Sequence, residues 1–186
     1  HFTRSLDLRK AALGPEHRDT LSSMHGVLAS TYSQRKFAEA AALTEQLLEI
    51  KQRVFGPEDK ETLSTMGDLA SAYGGMGATD KSRSLRDKVF EIQKRTLGLE
   101  HAGTLHTMSS LAADYLHQGR VAEAEALATE ALEKRKRVHG PEHPFTLGSM
   151  QVLAGAHAAQ GNHQAAIALQ SQLLEIRKRI LGPQHP

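Results

Sequence analysis

The sequence predicts an all-α fold, a right-handed solenoid of antiparallel helix pairs, and three observations lead to this prediction. A short motif recurs every 42 residues, apolar residues within each period follow helical spacing, and no segment shows the alternation typical of a strand. The motif copies are Leu13-Gly14-Pro15-Glu16, Phe55-Gly56-Pro57-Glu58, Leu97-Gly98-Leu99-Glu100 and His139-Gly140-Pro141-Glu142, and a fifth starts at Leu181-Gly182-Pro183.

The period divides the chain into four repeats within one domain that spans residues 1–186. The repeats cover 13–54, 55–96, 97–138 and 139–180, with 1–12 as the end of a preceding unit and 181–186 as the start of a following one. A single helix pair cannot bury its apolar face, so neighbouring pairs must stack to form a core.

Each repeat contains two amphipathic helical patterns, shown most clearly in repeat 3. The apolar stripe of its first helix is Leu105, Met108, Leu111, Ala112 and Tyr115. The second helix follows a turn at Gln118-Gly119, and its stripe is Val121, Ala124, Leu127, Ala131 and Leu132. Residues three and four positions apart share a helix face, so each stripe can pack against its neighbours.

The ends of the helices have recognisable signals. Basic runs such as Arg177-Lys178-Arg179 close the second helices, where they complement the negative end of the helix dipole. The Gly-Pro step that follows stops the helix, and Pro144 can open the next helix without losing a hydrogen bond. These signals predict helices of about 15 to 20 residues.

Repeat 1 leaves its helix register open. It has seven steps from Leu21 to Leu28 where the other repeats have six, and the turn before Phe37 reads as one residue shorter. Either Val27 and Thr31 keep the common register, or Leu28, Ala29 and Tyr32 keep it through a bulge in the helix.

Repeat 2 is predicted to be the weakest repeat. It has Gly74-Gly75-Met76-Gly77 at its turn and Thr79-Asp80-Lys81-Ser82 where the other repeats have stronger helix formers. Each glycine in a helix costs about 1 kcal/mol relative to alanine, so the second helix is expected to start late and to fray.

The repeated pattern L-G-P-E-H-x-x-T-L-x-x-M-x-x-L-A-x-x-Y-x-x-x-G resembles the 42-residue tetratricopeptide repeat of kinesin light chains. Similar arrays form the C-terminal tails of NB-ARC and NACHT signalling ATPases. The resemblance implies a superhelix whose first helices line an inner groove that binds peptides or partner domains.

The resemblance also implies two binding modes that the residues of this chain do not match. In kinesin light chains an asparagine before the first-helix Leu-Ala grips the backbone of a cargo peptide, but here that place holds Asp68, Ser110 and Val152. Chaperone-binding arrays hold a C-terminal carboxylate with lysine and arginine in the groove, and the groove positions of this chain have neither. Both modes are therefore not expected.

The repeat register places a set of small and largely neutral residues towards the groove, which suits an extended peptide or a close-packed helix. The predicted partner-binding residues are Ser64, Asp68, Ser71, His106, Ser109, Ser110, Ala113, Leu116, His117, Gln151, Val152 and Gly155. Their small size can also be explained by tight superhelical curvature alone.

The predicted function is that of a non-enzymatic scaffold or adaptor that binds a protein or peptide in the concave groove. One alternative is a ligand-sensing or self-associating tail of a larger signalling ATPase, with end-to-end stacking through apolar residues at the two ends, Leu6 with Leu8 and Leu173 with Ile176. A minor alternative is nucleic-acid binding through the basic helix ends, which recur at the repeat period from Arg9 onwards. Acidic residues interleave with this ladder, and aromatic residues are only 4% of the chain, so nucleic acid is not the favoured partner.

No pattern indicates catalysis, a cofactor or a metal site. The chain has no phosphate-binding glycine loop and no cysteine. Four histidines, His17, His101, His143 and His185, recur at one loop position and are predicted to serve at helix entry, while Glu123 and Glu125 are predicted to be surface charges.

The composition is typical of a globular chain. Apolar residues are 39% and charged residues 24%, and 23 basic against 21 acidic residues give a net charge of +2. No apolar run is long enough for a membrane span, and the first residues do not read as a signal peptide, so a cytoplasmic location is expected.

Overall fold

A computed structural model describes residues 2–181 of the chain, with side chains from residue 4 to residue 180. Between residues 2 and 181 there are nine α-helices and no strand, which confirms the all-α prediction. The helices are α1 (Phe2–Leu13), α2 (Arg18–Ser33), α3 (Phe37–Phe55), α4 (Lys60–Gly75), α5 (Thr79–Thr96), α6 (Ala102–His117), α7 (Val121–His139), α8 (Pro144–Ala159) and α9 (His163–Leu181). The predicted start of a following unit falls, from Gly182 on, outside the described residues.

The helix bounds follow the 42-residue period. The first helices α2, α4, α6 and α8 begin 42 residues apart and are 16 residues long. The second helices α3, α5, α7 and α9 also begin 42 residues apart, and α1 takes the place of a second helix before repeat 1.

The described residues divide into two compact units, one ending at Val89 and the other beginning at Phe90. In unit 1, α2 packs against α1 and α3, and α3 packs against α4. In unit 2, α7 packs against α6 and α8, and α8 also contacts α6 and α9. The assignment of a single domain to residues 1–186 stays a prediction.

The buried stripes form the core of each unit. In unit 1 a cluster joins Leu6 of α1 to residues of α2 and α3. In unit 2 the core contains the buried residues Leu105, Met108, Ala112, Ala128, Ala131, Leu132, Leu147, Met150, Leu153 and Leu173. The predicted first-helix stripe of repeat 3 is therefore buried, apart from Tyr115, which is half-buried.

Three of the four first helices begin at a histidine that caps the helix. The Nδ1 atoms of His17, His101 and His143 accept hydrogen bonds of 3.1–3.2 Å from the backbone N–H two residues later. Asp59 makes the same contact at 2.7 Å in repeat 2. These caps satisfy amide groups that have no partner inside the helix, as predicted for the first three of the loop histidines, whereas His185 lies outside the described residues.

Repeat 1 keeps the common register without a bulge. Helix α2 has the same length and position as the other first helices, and Thr31, which stands in the register of Tyr73 and Tyr115, is buried. The expectation of a shorter turn before Phe37 is wrong, because Arg35 adopts the left-handed conformation (φ 60) that glycine supplies in the other turns.

The expectation that α5 starts late is also wrong. Gly77 provides the left-handed turn (φ 76), and the helix begins at Thr79 in register with the other second helices. Gly75 has a packing reason, because a Cβ atom there would lie only 2.5 Å from the ring of Phe37. Fraying of α5 stays a prediction.

A long polar side chain near the end of the second helix connects neighbouring repeats within each unit. In unit 1 the buried Lys51 donates to the backbone carbonyl of Glu61, at the start of α4, over 3.3 Å. In unit 2 the buried Arg135 donates to the carbonyls of Phe145, in α8, and of Leu105, in α6. These contacts use carbonyl groups that the helices leave available.

Candidate functional site

The predicted binding residues of unit 1 lie on one face of α4. Ser64, Asp68 and Ser71 are separated by four and three residues, which places them above one another on the helix. Ser64 is exposed, whereas Asp68 and Ser71 are half-buried. The neighbouring first helix, α2, places His25 opposite them.

Asp68 and His25 form a pair across α2 and α4. The Nδ1 atom of His25 lies 3.7 Å from Oδ2 of Asp68, and this oxygen is buried without a hydrogen-bond partner. Burial raises the pKa of Asp68 above its ordinary value, while His25 and Lys51 act in the opposite direction.

Two cavities meet at His25. One, of about 270 Å³, is lined by His25, Leu28, Ala29, Tyr32, Asp68 and Ser71. The other, of about 390 Å³, is lined by Arg18, Asp19, Leu21, Ser22, His25, Lys51, Phe55, Glu61 and Ser64. The three predicted residues of α4 therefore all line a cavity in unit 1.

The Ser71 hydroxyl already has its partners. It donates to the carbonyl of Gly67 over 3.0 Å and accepts a hydrogen bond from Arg86 over 3.0 Å. Ser71 therefore shapes the smaller cavity, and Asp68 supplies its charge.

The predicted residues of unit 2 lie on α6 and α8 and differ in accessibility. The side chains of His106, His117 and Gln151 are exposed, and Gln151 accepts a hydrogen bond from Arg177 over 3.3 Å. The half-buried members of the set are Ser109, Ser110, Ala113, Leu116, Val152 and Gly155.

Several of the half-buried residues contribute to the packing of α6 against α8. The hydroxyl groups of Ser109 and Ser149 are 3.0 Å apart, and Val152 packs against the core of unit 2. A Cβ atom at Gly155 would lie 3.0 Å from the Leu116 side chain, so this glycine allows the two helices to approach closely. These contacts give the small residues a structural role that exists without any partner.

His25 and Tyr32 are site residues that the sequence analysis did not identify. His25 stands one period before Gly67 and two periods before Ser109, so it occupies the register of predicted binding positions. The open register of repeat 1 concealed this equivalence. The repeat spacing itself was the signal that identifies His25.

Most basic residues of the predicted helix-end ladder have acidic partners or are buried. Arg53, Arg137 and Arg179 form ion pairs with Glu16, Glu100 and Glu142 respectively. Lys51 and Arg135 are directed into the protein. Few of these charges are left for a phosphate backbone.

The other charged candidates also have local partners. Glu123 pairs with Arg120 at the surface, but the prediction that Glu125 is a simple surface charge is wrong. Glu125 is half-buried, and its carboxylate lies 3.3 Å from Nδ1 of His157 because α7 and α8 pack together. In the part of the chain that the structure describes, no group of three or more His, Asp or Glu side chains is arranged to hold a metal ion.

From residue 2 to residue 181, no helix has both the length and the apolar character needed to cross a membrane.

Comparison with solved structures shows the same fold in three proteins. A variant of a Podosopora anserina protein, described as a kinesin light chain with nearly identical TPR-like repeats, is 28% identical with a TM-score of 0.80, covering 97% of this chain and 85% of that one. BtubC (BKLC) from P. vanneervenii is 19% identical with a TM-score of 0.81, covering 100% and 73%. RapI in its apo form is 14% identical with a TM-score of 0.79, covering 95% and 63%.

Family models match most of the sequence. One tetratricopeptide repeat model matches residues 61–137 and 109–179, and a second matches residues 20–59. The search of curated proteins gives no match. Since these models cover well over half of the sequence, the chain belongs to the tetratricopeptide repeat family, with repeats of the kinesin light chain type.

Proposed function

We propose that this chain is a non-enzymatic scaffold that binds an extended peptide or a helix of a partner protein on the surfaces of its first helices. The tetratricopeptide repeat fold is that of protein interaction scaffolds, which supports the general class. The observation that carries the proposal is the pair of cavities between α2 and α4 in unit 1, because they join apolar walls to polar side chains.

In unit 2 the proposed contact residues are the exposed His106, His117 and Gln151, with Ser110 and Ala113 between them. Extended peptides bind through their backbone and through pockets for alternate side chains, so a shallow face of small residues is suitable.

A selection of random displayed peptides against the full chain tests the proposal. Ser64→Arg in unit 1 and His117→Arg in unit 2 place a bulky side chain on the proposed surface at exposed positions. Matched controls are Gln46→Arg and Thr129→Arg, at exposed positions of the second helices α3 and α7.

We expect the selected peptides to lose about tenfold or more in affinity for at least one of the two first-helix variants, and to bind the controls like the wild type. If no peptide is selected, or if all four variants bind equally, the proposal is wrong.

Self-association is a second candidate, which exposed apolar residues favour. Ile167 and Leu174 of α9 are 61% and 52% exposed, although Leu48 and Leu132, in the register of Leu174, are buried. Leu8 of α1 is 65% exposed, whereas Leu6 and Leu173, which the sequence analysis named, are buried. Light scattering over a dilution series should show a rising mass that Leu174→Glu abolishes, and a constant monomer mass would exclude this candidate.

A further inference from the structure

One oxygen of the Asp68 carboxylate is buried in unit 1 and has no hydrogen-bond partner. The nearest cationic candidate is His25, whose Nδ1 lies 3.7 Å from that oxygen, beyond hydrogen-bond range. His25 is charged only when it is protonated. The Asp68 side chain as a whole is 35% exposed, so the carboxylate is covered on one side and accessible on the other.

The permanent cations around Asp68 are engaged elsewhere. Lys51 of α3 donates to the carbonyl and the carboxylate of Glu61, both over 3.3 Å. Arg86 of α5 donates to the hydroxyl groups of Ser82 and Ser71, over 2.9 and 3.0 Å. Asp68 therefore lacks a cation of its own in direct contact.

The accessible side of Asp68 faces the cavity of about 270 Å³. Leu28, Ala29 and the ring of Tyr32 provide an apolar wall, and Asp68 provides the charge. A long side chain with an aliphatic stem and a cationic head matches this combination, because its methylene groups bury apolar surface while its charge meets the carboxylate.

The repeat itself does not need a carboxylate at this position. The residues one period apart from Asp68 are Gly26, Ser110 and Val152, none of which is charged, and the helices that contain them have the same bounds relative to the repeat. A half-buried carboxylate costs stability unless a cation compensates it. A costly group that the fold does not require is typical of a binding site.

We propose that the cavity beside Asp68 binds the ammonium group of a lysine side chain from the partner peptide, with Asp68 as its counter-ion. This inference rests on the proposed function, since it names the chemistry of the peptide that unit 1 recognises. The covered oxygen is directed at His25, so the ammonium meets the carboxylate at its other oxygen, Oδ1.

Lysine suits the cavity better than arginine. A guanidinium group binds a carboxylate best through two parallel hydrogen bonds, which require both oxygens to be accessible. At Asp68 one oxygen is covered, and the compact ammonium group needs only one.

The test uses three capped pentapeptides, acetyl-Gly-Gly-X-Gly-Gly-amide, in which X is lysine, arginine or norleucine. Norleucine has an aliphatic side chain without the charge. Each probe is titrated into the full chain while the carboxyl carbon signals of its aspartates are followed by NMR. The same titrations are repeated with Asp68→Asn and with the control Asp7→Asn, which removes an exposed carboxylate of α1.

We expect the lysine probe to shift the Asp68 carboxyl signal and to bind about tenfold more tightly than the norleucine probe. Asp68→Asn should abolish this preference, and Asp7→Asn should keep it. Equal binding of the arginine probe would overturn the assignment to an ammonium group, and no shift at Asp68 with any probe would overturn the cation site.

The peptide selection separates this inference from the proposed function. If selected peptides lose binding to Ser64→Arg but the lysine probe leaves Asp68 unchanged, the scaffold function stands and the lysine site is wrong. If no peptide is selected but the lysine probe shifts Asp68, the cation site stands and the scaffold function fails.

Discussion

The N-cap position of the first helices holds histidine in three repeats and aspartate, Asp59, in repeat 2. The imidazole Nδ1 and the carboxylate oxygen accept the same kind of hydrogen bond, from the N–H two residues further on. The repeat therefore needs an acceptor at this position and does not need a metal ligand.

Removing the acceptor from one cap should destabilise its unit. His143→Ala leaves the N–H of Phe145 without this partner and should cost about 1 kcal/mol. His143→Asp should keep most of the stability, because Asp59 shows that aspartate fits the same position. Urea unfolding of the three proteins measures the difference, and equal stability of all three would show that the cap contributes nothing.

Asp68 should reduce the stability of the unliganded chain at neutral pH. Burial raises its pKa above the model value of 3.8, so the folded chain holds this proton more tightly than the unfolded chain. The associated stability is fully present below pH 3.8 and is lost as the pH rises through the raised pKa of the folded state.

Asp68→Asn removes this titration, and we expect it to raise the Tm at pH 7 with a gain that shrinks towards pH 3.8 and below. Thermal unfolding monitored by circular dichroism over this pH range measures the gain. A gain that does not depend on pH, or a loss at pH 7, would contradict the assignment of a stability cost to this carboxylate.

At the scale of helices, the second helix contributes to stability through the polar residue that reaches the next repeat. The Arg135 guanidinium is buried, and burial lowers its pKa. It donates to carbonyl groups of both α6 and α8. Two residues further on, Arg137 is exposed and pairs with Glu100 at the surface.

This contrast predicts very different effects for two neighbouring arginines. Arg135→Ala should cost about 3 kcal/mol, because it leaves two carbonyl groups without their charged donor and opens a cavity. Arg137→Ala should cost less than about 1 kcal/mol, as expected for an exposed ion pair. Similar losses in denaturant unfolding would show that Arg135 does not connect the helices as described.

Helix α5 is the second helix with the least buried surface inside the described chain. Only Ser82 and Val89 of α5 are buried, whereas α7 buries five residues, Ala124, Ala128, Ala131, Leu132 and Arg135. Since a helix in a protein depends mainly on its packing, α5 should open locally more often than α7.

Hydrogen exchange measures this difference directly. The amides of residues 74–84 should exchange faster than those of residues 116–126, which occupy the equivalent positions of repeat 3. Equal protection of the two segments would show that the weak composition of repeat 2 is compensated.

At the scale of the whole molecule, the repeat period made the fold predictable. Each helix start has its own local signal, and these signals recur four times, so one error in one repeat could be checked against the others. The two local errors concerned Arg35 and Gly75, where the backbone conformation of one residue and a contact with Phe37 decided the outcome.

The candidate site was only partly predictable from sequence. Register arithmetic indicated that Ser64, Asp68 and Ser71 share a face, and the structure confirms this placement. It did not reveal the approach of His25 to Asp68 or the two cavities, because both depend on how α2 packs next to α4. Sequence also did not show that Ser109 and Val152 take part in the packing of unit 2.

The most direct test of the scaffold function is to map a selected peptide on the full chain by the shifts of its backbone amide signals. The account predicts that the largest changes fall on first helices, on α2 and α4 around His25 and Asp68 or on α6 and α8 around His117 and Gln151. Changes confined to the second helices α3, α7 and α9 would contradict it, because the partner would then bind a surface other than the one proposed.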